Sequence, residues 1–106
     1  MEKQKIYTIL TFESLKQDPI TKVPELGSER LVGWYSDFET AEANVRNNAC
    51  DINETCYKYA LIEECTEGLY QYARHRWLYE YDKATDTYNP VEEPVFMKMW
   101  VNLTIG

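Results

Sequence analysis

The chain is poor in the residues that announce chemistry: it has one histidine, three cysteines and four glycines that never cluster. Because Gly27, Gly33, Gly68 and Gly106 are isolated, there is no glycine-rich loop to cradle a phosphate. His75 lies between Arg74 and Arg76, with no carboxylate close in sequence to orient it. A nucleophile activated by an oriented base is therefore not visible. Cys50, Cys56 and Cys65 with His75 give the spacing C-x5-C-x8-C-x9-H, which lacks the paired two-residue knuckle of structural zinc sites. An odd cysteine count argues against a disulfide framework and suits a reducing compartment; the expected state of all three is buried and unpaired. No apolar run approaches bilayer length, and Met1 to Ile6 lack the apolar core of a signal peptide, so the sequence is expected to be cytoplasmic. No metal and no cofactor are expected.

Positive charge is scarce as well: 11 Lys and Arg face 18 Asp and Glu, a net charge of −7. Neutralisation of phosphates dominates duplex affinity, so this balance argues against direct binding of nucleic acid. The deficit is local. Residues 1–36 are neutral, residues 68–106 carry −1, and residues 37–67 carry −6. A field confined in this way acts on partners rather than on the fold.

What is present describes one small domain. At 106 residues with 44% hydrophobic and 27% charged content, the chain has globular composition and the length of a single core. Residues 6–12 are β-branched and aromatic, apolar on both parities, and read as a strand covered on both faces. Asp18-Pro19, Val23-Pro24 and Gly27-Ser28 mark a loop or long hairpin tip over 14–29. Leu31 to Tyr35 resumes as a second strand, where Gly33 signals a bulge or a close backbone approach.

Ser36-Asp37-Phe38-Glu39 fits a capping box in which Ser36 caps a helix over 37–48, with Asp37 and Glu39 favourably placed at its positive end. Asn47-Asn48 then supplies residues that tolerate positive φ. Residues 57–64 read as an interior strand. Residues 75–81 form the next strand, with Trp77, Tyr79 and Tyr81 on one face. Thr87 to Asn89 before Pro90 reads as an edge strand, and residues beyond Pro94 as one turn followed by a terminal strand. The expected fold is α+β: a single domain over 1–106, with an antiparallel sheet of about five strands and one main helix in the order β-β-α-β-β-β. One helix leaves one sheet face solvated or available for docking.

Two residue groups are candidates for function. The first is the acidic set Asp37, Glu39, Glu42, Glu63, Glu64 and Glu67, which suits docking on a basic surface together with some of the nine tyrosines. The second is Arg74 and Arg76 beside Trp77, the residue types that hold nucleotides and phosphates. Eighteen carboxylates leave no single acid–base pair selected, so no catalytic residue is assigned.

Leu31-Val32-Gly33-Trp34-Tyr35-Ser36 followed by Phe38-Glu39-Thr40-Ala41-Glu42-Ala43, with the later segments 59–63 and 77–81, resembles small uncharacterised bacterial and phage domains from gut Firmicutes. In size, acidity and lack of catalytic motif the chain is also similar to phage-encoded inhibitors of bacterial defence, the anti-CRISPR proteins among them. The resemblance implies a non-enzymatic protein that occupies a basic nucleic-acid-binding groove of a defence nuclease in the host cytoplasm, possessing no catalytic residues of its own. Two alternatives stand beside it: a protein that sequesters a nucleotide signal through Arg74, Arg76 and neighbouring aromatics, possible at a homo-oligomer interface, and an accessory domain whose charge serves solubility.

Overall fold

The computed structural model describes residues 4–68 and 75–99. Strands β1 (Lys5–Phe12), β4 (Arg30–Tyr35), β5 (Tyr59–Thr66), β6 (Arg76–Asp82) and β7 (Thr87–Val91) form one antiparallel sheet in the spatial order β4-β1-β5-β6-β7. Between β1 and β4 the chain makes a separate two-stranded ribbon, β2 (Ser14–Gln17) and β3 (Pro24–Gly27). Helix α1 (Phe38–Arg46) follows β4, and 3-10 turns occupy Ala49–Asp51 and Val95–Met99. The α+β class, the single helix and the five-stranded sheet agree with the sequence reading. The chain order does not, because residues 14–29 supply two further strands ahead of β4.

Those two strands exist because both sheet faces need cover. On one face α1 lays Ala41 and Val45 over Ile9, Ala60, Ile62, Tyr79 and Tyr88, with Phe38 and Trp77 at the margin. On the other, Leu10, Phe12, Leu61 and Leu78 are closed over by Leu15 and Leu26, which pair across the ribbon, and by Phe96 and Met97 of the last turn. The helix-free face is thus a second core, not the solvated or docking face expected from a single helix. This explains the double parity of β1, and of β5 at the centre of the sheet, whose residues Ala60 to Cys65 are all buried.

Tyrosines account for much of this packing. All seven in the described residues are buried or half-buried; Tyr70 and Tyr72 lie outside the described residues. Tyr88 donates to the Tyr57 carbonyl at 2.6 Å, and Tyr81 donates to Asp86. A buried ring whose hydroxyl reaches an acceptor loses no hydrogen bond on folding.

Local signals were read with mixed success. Asp37, not Ser36, caps α1: its carboxylate accepts from the Thr40 amide at 2.9 Å and the Thr40 hydroxyl at 2.7 Å. The third helical position after Asp37 is Thr40, which offers two donors, whereas a box on Ser36 would begin the helix one residue early. Asn48 takes φ 51 and ends the helical run as its residue type suggests. Its side chain accepts from the Asn53 amide and donates to Asp51 and Asp86, holding a loop in which Cys50, Asp51, Glu54 and Thr55 also have positive φ. Cys50 and Cys56 are exposed there, contrary to the buried state expected of them; only Cys65 is buried.

The bulge expected at Gly33 is present. Ile9 pairs with Gly33 and Leu10 with Leu31, so Val32 is the extra residue. Among the described residues beyond its chain neighbours, no atom lies within 4 Å of where a Gly33 Cβ would stand, so they show the bulge and not a close approach. Pro90 sits in the edge strand β7 opposite Tyr79, as a proline without an N–H must. The single turn after Pro94 is the 3-10 segment; the proposed terminal strand lies outside the described residues.

Candidate functional site

Alternation along β5 decides the fate of the acidic set. Adjacent strand residues point to opposite faces, so Glu63 and Glu64 cannot share a surface. Glu63 lies on the helix-free face and is 0% exposed, 3.1 Å from the Arg76 guanidinium. Arg76 is 7% exposed; it also donates to Glu93 at 3.2 Å and to the Met97 carbonyl at 2.9 Å. This buried cluster ties the last 3-10 turn to the sheet. It also removes Arg76 from the pool of surface cations, correcting its candidacy as an anion ligand; Arg74 lies outside the described residues.

Glu64 takes the helix side, at the end of the sheet where α1 begins. The Tyr7 hydroxyl donates to its Oε1 at 3.3 Å, Lys5 Nζ stands 3.5 Å from the same oxygen, and His75 Nε2 stands 3.9 Å from Oε2. The carboxylate missing near His75 in sequence is thus supplied across the sheet. Burial raises the Tyr7 hydroxyl above its ordinary pKa, and the negative charges of Glu64, Glu39 and Asp37 raise it further. One hydroxyl therefore senses three of the six candidate carboxylates.

Beneath them lies an aromatic floor. The Phe38 ring is 4.3 Å from Trp77 and 5.9 Å from Tyr7, and Trp77 is 5.9 Å from His75. These rings are packed against one another, so the site is a surface and not a cavity. Hydrogen bonds from the Thr40 hydroxyl and amide hold Asp37 below the usual carboxylate range.

The other three carboxylates stand apart. Glu42 accepts from Tyr79 at 2.6 Å, and burial together with that bond pushes the Tyr79 hydroxyl well above its ordinary range. Glu67 is exposed beyond the end of β5, where its amide donates to the Gln4 carbonyl at 2.9 Å. Glu63 is on the opposite face. Of the six expected residues, Asp37 and Glu39 are left exposed around the start of α1; Glu64 beside them is 7% exposed and paired with Tyr7, Lys5 and His75, and the other three stand elsewhere. Sequence reasoning missed Tyr7 and Lys5, which meet at Glu64; their only signal was a place on the first strand.

Between α1 and β4 runs an apolar cleft of about 250 Å³ lined by Ile9, Val32, Trp34, Val45, Cys50 and Ile52 among others. Among the described residues no carboxylate, lysine or histidine lines it; its polar side chains are Tyr35, Asn44 and Cys50. Among the described residues, no three His, Cys, Asp or Glu side chains gather to hold a metal ion, and no helix is long and apolar enough to cross a membrane. No family model, curated protein or solved structure matches the chain.

Proposed function

We propose that this chain is a non-enzymatic binding protein that acts in the cytoplasm by presenting an anionic, aromatic-floored surface to a basic groove of a nucleic-acid-processing enzyme, in the manner of a phage inhibitor of a bacterial defence nuclease. The observation that supports the reading best is the pair of exposed carboxylates Asp37 and Glu39 at the start of α1, beside the packed rings of Tyr7, Phe38 and Trp77. Aromatic area beside exposed carboxylates is chemistry that suits arginine and lysine side chains. Such a surface competes with phosphate for the same cations, through charge that steers the encounter and area that excludes the nucleic acid.

The test is competition. Purified guide-loaded CRISPR nucleases are mixed with labelled target DNA, and displacement of the DNA by the chain is followed at low and high salt. The double variant D37N/E39Q keeps a cap-competent residue while removing two charges; it is expected to weaken displacement by about tenfold and to flatten its salt dependence. Absence of displacement across the nucleases, or equal potency of the variant, overturns the reading.

A further inference from the structure

We infer that β4 is a self-association edge, through which two copies of the chain join their sheets by antiparallel pairing of β4 with β4. The two edges of the main sheet are not equivalent. At β7 the backbone is interrupted by Pro90, a residue that cannot extend a ladder. At β4, Leu31 to Tyr35 contain neither charge nor proline, and among the described residues no strand pairs with the outer side. Its largest apolar side chains are also uncovered: Trp34 is 60% exposed and Leu31 is 55% exposed. An edge that combines open backbone with open apolar area is a template for another strand.

The bulge identifies which strand fits. In a regular strand, residues three apart point to opposite faces. Here the extra residue Val32 resets the alternation, so that Leu31, opposite Leu10, and Trp34, opposite Thr8, share the helix-free face. Arg30, Gly33 and Tyr35, opposite Thr11, Ile9 and Tyr7, share the helix face. Now place a two-fold axis between Val32 and Gly33. Leu31 of each copy then lies opposite Trp34 of the other, and Arg30 opposite Tyr35, with every opposed pair on a common face.

Without the bulge this register would set each side chain against a neighbour on the wrong face. The strand is therefore self-complementary, as an isologous interface requires. Its two Leu–Trp cross-strand pairs are of the aromatic–aliphatic kind that stabilise antiparallel ladders. Contact through one six-residue strand is small, so a weak dimer is expected, populated at about 100 μM.

Sedimentation equilibrium of the full chain, with Trp fluorescence followed on dilution, tests this directly. Two surface double variants fix the register. L31K/W34K sets lysine opposite lysine at both pairs and is expected to weaken association at least about tenfold, whereas L31E/W34K sets glutamate opposite lysine and is expected to regain most of that loss. Melting curves confirm that both variants fold. A wild-type chain that stays monomeric at about 100 μM overturns the inference, as does equal behaviour of the two double variants. A monomer that instead captures an extended strand from another protein overturns it too.

Discussion

Replacing Arg76 by methionine is expected to be among the most damaging single changes in the described core. The guanidinium lies 3.1 Å from Glu63 and 3.2 Å from Glu93, and its side chain is 7% exposed against 0% for Glu63. Methionine fills a similar volume but leaves two carboxylates facing an apolar group. Removing one partner from a buried ion pair costs about 3–5 kcal/mol, because the charge left behind has lost both water and its counter-ion. The variant also loses the hydrogen bond to Met97 that holds the last 3-10 turn over Leu61 and Leu78. A domain of this size has about 5–15 kcal/mol in all, so urea unfolding should show a large part of its stability gone and a Tm lower by at least about 12 °C. The double variant E63Q/R76M is expected to be more stable than R76M alone, since a neutral amide no longer demands a cation. Among the described residues Arg76 Nε has no hydrogen-bond partner. A loss below about 1 kcal/mol for R76M, or an E63Q substitution that adds to the damage, would refute the reasoning.

Three further outcomes follow from local geometry. D37A removes the cap on Thr40 and should cost about 1 kcal/mol in urea unfolding, with D37N costing less. N48A removes both the side-chain bonds that hold the loop to Asn53 and Asp86 and a residue type tolerant of φ 51. It should therefore be more destabilising than N48G, which keeps the backbone freedom, with a loss of about 1–3 kcal/mol in thermal melts. Alkaline stability should fail in a defined window. The bond to Asp86 pushes Tyr81 up to about 12 and burial pushes Tyr88 up to about 12, while burial and Glu42 push Tyr79 higher still. Unfolded tyrosines ionise near about 10, so the folded state keeps protons that the unfolded state releases. Their contribution is complete below about pH 10 and is lost as pH climbs toward 12 and beyond. Tyrosinate absorbance rising together with loss of ellipticity in that range is the expected result; titration of Tyr79 and Tyr88 in a chain that stays folded would contradict it.

Local order was legible where one residue type has one physical use. Asn48 at a helix end, Pro90 at a sheet edge and Gly33 beside a bulge each mark what the structure contains. The double parity of β1 also foretold cover on both faces, although the source of the second cover did not show. Nothing in residues 14–29 reveals that Leu15 and Leu26 pair across a ribbon and close over Leu10 and Phe12, because that is decided by tertiary packing of residues with weak local signals. The candidate site was half legible. Helix position placed Asp37 and Glu39 together, but Tyr7 and Glu64 meet across 57 positions of sequence, and register over such a span is set by the whole sheet. The division of Glu63 from Glu64 was available from strand alternation alone; what alternation did not reveal was that Arg76 would bury one of them.

On the proposed reading, that division separates stability from recognition at the two faces of the sheet. β5 gives one buried carboxylate to each face: Glu63 holds the last turn against the sheet, and Glu64 takes Tyr7, Lys5 and His75, which leaves exposed Asp37 and Glu39 at the helix N-terminus to face solvent. Substitutions on the Glu63 side act through desolvated charge and so belong in the unfolding free energy. Those at exposed Glu39 act through the long-range field, which contributes little to folding and much to the rate at which a basic partner arrives. E39Q should therefore slow association with a cationic surface, most at low salt, while leaving Tm within the small range of ordinary surface changes. A chain in which E39Q lowered Tm as R76M does would mean that the acidic cluster is part of the core after all, and the docking surface proposed around Tyr7 would lose its reason to exist.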